Sequence, residues 1–162
     1  MYHRTVEGLL MQRSLPVAAC FIFCLMSTAS ALDGSNDWQV EKIGTGVVYS
    51  LTDDDTSLSV TCTGSHHGGG AMVDLVLEGV DPSPFSTTEI LIDDRVHEIR
   101  HGAAGIGITD CPECAEEFVS LWAALRRSAV KELKVMRGET SVWLDARGGG
   151  QTLGDCPTDF DR

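Results

Sequence analysis

The chain has 162 residues and carries 24 acidic against 12 basic side chains, a formal charge of −12 at neutral pH. A surface of that sign repels phosphate backbones and anionic headgroups, which argues against nucleic acid and peripheral membrane binding and leaves solubility, or a basic protein partner, as its use.

Residues 1–31 read as a secretory signal peptide. Arg4 and Arg13 give a positive flank, an apolar run follows from Leu15 to Met26, and Ala29-Ser30-Ala31 supplies the small-x-small pair that signal peptidase accepts. Cleavage is expected before Leu32, and Met11 can serve as the start because the stretch from there to Ala31 is already a complete signal. A transmembrane anchor needs about 20 apolar residues, whereas this run is interrupted by Pro16 and ends near Met26. No membrane span is expected after cleavage. Val17-Ala18-Ala19-Cys20 has the look of a lipobox, but the apolar Phe21, Ile22 and Phe23 follow the cysteine where a lipoprotein has its polar tether. What remains is a single exported domain, 32–162, periplasmic or secreted and of ordinary size. Without Arg4, Arg13 and Glu7 it holds 10 basic and 23 acidic residues, a formal charge of −13.

The first strands are expected at Trp38 to Ile43 and Val47 to Thr52, separated by the Gly44-Thr45-Gly46 turn, with a second turn at Asp53-Asp54-Asp55. From Ser57 the alternation is strict: Leu58, Val60 and Cys62 share one face, which points Cys62 into the core. After the loop 64–70, Val73, Leu75 and Leu77 share a face of the next strand, while Pro82 and Pro84 break the pattern. Ile90, Ile92 and Val96 to Arg100 predict a hairpin turning at Asp93-Asp94. The Gly- and Ala-rich stretch from His101 to Thr109 has no periodicity.

Phe118, Leu121, Trp122 and Leu125 recur at i, i+3, i+4 and i+7, which predicts a helix with its apolar stripe on the sheet and Glu116, Glu117, Arg126 and Arg127 in water. Asp110 and Glu113 have the spacing of a capping box at its start. A last hairpin, Leu133 to Met136 and Ser141 to Ala146, precedes Gly148 to Gly150, which read as a flexible joint before Cys156.

Four cysteines follow the signal: Cys62, Cys111, Cys114 and Cys156. An even number in an oxidising compartment reads as two disulfides, for which three connectivities exist. Cys111 and Cys114 are close enough to pair locally, leaving Cys62 with Cys156. The Cys111-Pro112-Glu113-Cys114 motif at a helix start also has the geometry that lowers a thiol pKa in thioredoxin-like oxidoreductases, with Cys111 as nucleophile and Cys114 as resolving thiol. Such a domain needs βαβ units and a cis-proline facing the thiols; here the upstream elements read as hairpins and no proline lies between Pro112 and Pro157. A structural staple is the plainer use.

His66, His67, His97 and His101 match no ligand spacing, so they read as exposed loop and strand residues, and no metal or cofactor is assigned. The Asp53 to Asp55 and Asp93-Asp94 clusters lack the glycine and terminal glutamate of an EF-hand loop. Ser128 to Lys131 spells S-x-x-K, but at the end of a helix and without the S-D-N or K-T-G that accompany that nucleophile. Trp122 is expected in the core, with Trp38 and Trp143 half-exposed as markers of a binding face.

The layout of signal peptide, early Trp38, the L-x-V-x-C strand at Leu58 to Cys62, the Ile90-Leu91-Ile92-Asp93 strand end, the F-x-x-L-W-x-x-L helix and a last Cys156 resembles the small periplasmic accessory proteins of type VI secretion, the VasI-like group. The Cys111, Cys114 pair and the Gly148 to Gly150 tail depart from that pattern. The resemblance implies a non-enzymatic contact role in the cell envelope, a Cys62 to Cys156 bridge and no catalytic residue. Together these readings predict an α+β domain, a mostly antiparallel sheet with one amphipathic helix on a face and two disulfides. Its expected function is an exported, non-enzymatic binding or accessory module holding another envelope protein; the alternative is a thiol-disulfide oxidoreductase using Cys111 and Cys114.

Overall fold

The computed structural model describes residues 37–63, 70–127 and 129–160, so the expected signal peptide, the His66-His67 loop and Ser128 lie outside the described residues. The alternating segments become two four-stranded antiparallel sheets. In the first, β1 (Gln39–Ile43), β2 (Gly46–Asp53), β3 (Thr56–Cys62) and β4 (Ala71–Val76) pair in chain order. In the second, β5 (Thr87–Ile92), β6 (Arg95–Arg100), β7 (Glu132–Arg137) and β8 (Thr140–Asp145) lie in the order β6-β5-β7-β8. The connection from β6 to β7 carries the amphipathic helix α1 (Pro112–Leu125), and a short α2 (Gly149–Thr152) follows β8. With its two disulfides the fold is α+β and mostly antiparallel sheet.

The acidic pairs in the sequence are hairpin turns. Ile92 pairs with Arg95 across Asp93-Asp94, and both aspartates have positive φ, 46° and 64°. A two-residue hairpin needs that left-handed twist, and aspartate tolerates it because its short side chain bonds locally. Asp54-Asp55 closes β2 to β3 as another two-residue hairpin, in which Asp54 alone of the pair has positive φ, 48°.

Register aligns the apolar alternation into rows. Tyr49, Val60 and Val73 lie opposite one another across the first sheet, as do Leu51, Leu58 and Leu75. In the second, His97, Ile90, Val135 and Val142 form a row, and Leu133 faces Leu144. The stripe of α1 joins this core: Phe118, Leu121, Trp122 and Leu125 are buried, the Phe118 and Trp122 rings stack with centroids 5.9 Å apart, and Tyr49 of β2 lies 5.4 Å from Trp122. The indole Nε1 of Trp122 donates to the Gly154 carbonyl at 3.0 Å, so the ring is both packed and satisfied.

Several expectations need correction. The cap of α1 is Cys111, whose Sγ accepts from the Cys114 N–H at 3.1 Å, and not Asp110 in a capping box with Glu113. The bridge to Cys114 holds that sulfur over the first turn, where a capping carboxylate would otherwise sit. Gly148 to Gly150 are no flexible joint: α2 begins there, and Gly149 is buried against the Leu125 carbonyl at the end of α1. Trp38 is buried, its Nε1 donating to the Ala146 carbonyl at 3.3 Å and lying against Gly149, which leaves Trp143 as the exposed member of that pair. His97 and His101 are buried too, because the alternation of β6 puts His97 on the same face as Ile99. Glu117 is half-buried and bonds His97, so it faces water only in part, less than the helix periodicity suggested.

Candidate functional site

The segment 101–109, which has no period of its own, takes its structure from distant partners. Gly107 is bridged to Val73 at the edge of β4 and to His101 just past β6. Its N–H donates to the Val73 carbonyl at 2.6 Å, and a side chain there would meet Ile99 and that same carbonyl. Glycine is therefore what lets this strap lie between the two sheets.

The strap covers only one end of β6. In an antiparallel ladder, successive residues turn their main-chain groups alternately toward one neighbour and the other. The His101 N–H donates to Ser86 at 2.8 Å on the β5 side, and the register of Ile92 with Arg95 through Thr87 with Arg100 extends that phase along the strand. Arg95, His97 and Ile99 thus bond β5, while Val96, Glu98 and Arg100 direct their N–H and C=O groups outward. The Arg100 carbonyl accepts from the Ile108 N–H at 2.9 Å. The outward groups of Val96 and Glu98 have no hydrogen-bond partner among the described residues.

Those groups face a groove of about 420 Å³ between β6 and the first turns of α1. Glu113, Cys114, Glu116 and Glu117 form the helical wall; Arg95, Glu98 and Arg100 belong to the strand wall, and Ile108 closes it at the strap. Four carboxylates against two guanidinium groups make the groove acidic, in keeping with the whole chain.

Behind the strand, His97 Nδ1 lies 3.0 Å from Glu117 Oε1, joining β6 to α1. Burial holds the imidazole below the ordinary histidine value; Glu117 pulls it back up, and Arg95 and Arg127 push it down. When neutral, the ring can donate from Nδ1 to the carboxylate, and its Nε2 is buried without a partner among the described residues. Burial lowers His101 as well, with the Gly105 backbone opposing; its Nε2 lies 2.8 Å from the buried Thr88 hydroxyl. These two histidines have separate partners, and among the described residues no group of three or more His, Cys, Asp or Glu side chains converges on a common point.

The four cysteines form two bridges. Cys62 and Cys156, Cα atoms 5.0 Å apart and both buried, tie the end of β3 to the last segment. Cys111 and Cys114, 5.1 Å apart and half-buried, close the start of α1, with Cys114 on the groove wall. Trp143 stands away from the groove on β8, under the ammonium of its cross-strand partner Lys134, 5.7 Å from the ring centroid. Of the groove residues sequence reasoning singled out only Cys114 as a site candidate, and missed Arg95, Val96, Glu98, Arg100, Ile108, Glu113, Glu116 and Glu117. The charged Arg95, Glu98 and Arg100 were a legible sign of an edge strand.

Comparison with protein-family models, with curated proteins and with solved structures finds no significant match.

Proposed function

We propose that this chain is an exported, non-enzymatic binding or accessory module of the cell envelope, and that it holds a partner protein in the groove between β6 and α1. One observation carries the reading: the main-chain donors and acceptors of Val96 and Glu98 are unused and open into a preformed groove, which is what a sheet edge offers to a guest. The apolar leader and two disulfides are compatible with export into an oxidising compartment, and the resemblance to VasI-like accessory proteins points the same way. A photo-crosslinking residue at Glu98, in cells producing the full chain with its leader, should give a discrete adduct in the envelope fraction. The same residue at Ser141, exposed on β8, should give none. Equal adducts from both positions, or none from Glu98, would refute the reading.

A second reading has its own observation. Cys111 Sγ occupies the cap of α1 and accepts the Cys114 N–H, the arrangement that would stabilise a Cys111 thiolate in the reduced protein. As an oxidoreductase, the reduced protein would attack a substrate disulfide with Cys111, and Cys114 would resolve the mixed disulfide, releasing a substrate dithiol and re-forming the Cys111 to Cys114 bond. Reduction of insulin by dithiothreitol separates the two readings. No acceleration is expected for a binding module, whereas acceleration abolished by Cys111→Ser would establish the oxidoreductase.

A further inference from the structure

We infer that the guest is an extended, basic peptide segment that adds to β6 as a new strand. This rests on the binding-module reading and names the chemistry of its partner. Main-chain geometry sets the form of the guest. The outward groups of Val96 and Glu98 repeat every second residue, about 6.6 to 6.8 Å apart, so only a chain in the extended conformation meets both. The strap fixes where that strand stops, because Ile108 already occupies the Arg100 carbonyl. A guest of about four to six residues spans the uncovered part of the edge at about 3.4 Å per residue.

Charge sets the sequence of the guest. Glu98 on the strand and Glu113 and Glu116 on the helix line the groove, while Glu117 is engaged by His97. Side chains of an added strand alternate between the two faces of the sheet, so Lys or Arg at alternate positions brings each cation to one face, that of Glu113 and Glu116 on the helical wall, while Glu98 stands on the other. The Arg95 and Arg100 side chains stand toward the two ends of the strand and leave its middle to Glu98. A second copy of this chain is disfavoured, since its own β6 would bring another Glu98 and two more arginines, and each copy is acidic.

The probe is a fluorescein-labelled hexapeptide of alternating Lys and Val, titrated with the purified protein and read by anisotropy at low and high salt. Binding should saturate and weaken with salt. The alternating Glu and Val peptide should bind at least about tenfold more weakly, and so should a Lys and Val peptide methylated on alternate backbone nitrogens, because a lost hydrogen bond of about 1.4 kcal/mol is tenfold in affinity. On the protein, Val96→Pro removes an outward N–H without touching the ladder to β5, a place where an edge strand accepts proline. It should keep the melting temperature and lose binding by about tenfold. Should Val96→Pro unfold, Glu98→Lys replaces it, since that side chain lies outside the core. In hydrogen exchange, the Val96 and Glu98 amides should gain protection with the Lys and Val peptide. Equal affinity of the methylated peptide, unchanged exchange at those amides, or concentration-dependent self-association in place of peptide binding would overturn the proposal. If crosslinking from Glu98 succeeds while the peptide fails, the module reading stands and the guest chemistry is wrong; if the peptide binds without any cellular adduct, the groove is competent and the module reading fails.

Discussion

Protonating His97 would place a charge on a side chain that is 1 % exposed and whose Nε2 has no acceptor among the described residues. His97 and His101 both have folded-state values below the ordinary histidine value, with burial the main cause in each case. The unfolded chain therefore binds more protons than the native one as pH falls through about 6.5, and stability rises with pH across that window. Urea unfolding between pH 7.5 and 5 should show the free energy falling on acidification, by at most about 1.4 kcal/mol per pH unit for each histidine. His97→Gln, whose amide can still donate to Glu117, should flatten part of that slope. A flat profile from pH 7 to 5.5 would mean that the rings are not desolvated as described. Asp145 does not confuse the window: its bond to Arg147 holds the carboxyl below its usual value, so it contributes only at lower pH. The buried face of His97 was legible from Ile99 two residues on, although the residue was expected to be exposed; its partner Glu117 lay outside the apolar stripe and could not be chosen from the helix alone.

At the scale of elements, strands and turns were legible because each is set by neighbours in the sequence: alternation gives the strand, and Asp or Gly with positive φ gives the hairpin. The order β6-β5-β7-β8 was not, since it requires β7 to pair with a strand other than its predecessor, and with it went the open edge that makes the groove. Segment 101–109 escaped for a related reason, as its bonds run to Val73 and Arg100. The Gly148 to Gly150 run misled because three glycines suggest freedom, whereas the middle one is there for want of space. A Cβ on Gly149 would press on the Leu125 carbonyl and come within 3.3 Å of Trp38 Nε1. Gly149→Ala should therefore destabilise the fold by about 1 to 3 kcal/mol, the usual cost of overpacking, as read by thermal or urea unfolding. Gly150→Ala is the control, because that residue is exposed, and it should be nearly neutral. Equal costs would mean that chain flexibility and not packing explains these glycines.

For the molecule as a whole, the Cys62 to Cys156 bridge joins residues 94 apart and stabilises by about 4 to 5 kcal/mol on the loop-entropy account. The chain is nevertheless made from its N-terminus, so the thiols of these two bridges appear in the order Cys62, Cys111, Cys114, Cys156. For most of synthesis the native partner of Cys62 does not exist, and the thiols able to reach it are the wrong ones. The three-residue spacing of Cys111 and Cys114 gives them the shortest loop to close and the highest chance of meeting first, which withdraws both competitors before Cys156 arrives. Reoxidation of the reduced protein tests the competition for Cys62 itself, with Cys156 already present. With Cys111→Ser, the stranded Cys114 should appear bridged to Cys62 in peptide maps, while Cys111→Ser with Cys114→Ser together should restore clean Cys62 to Cys156 pairing. If the single variant forms only the native bridge, the pair has no such part in oxidation. Mispairing in the single variant and its loss in the double would mean that the staple at the head of α1 acts in time as well as in space, by keeping an early thiol free for a partner that is made last.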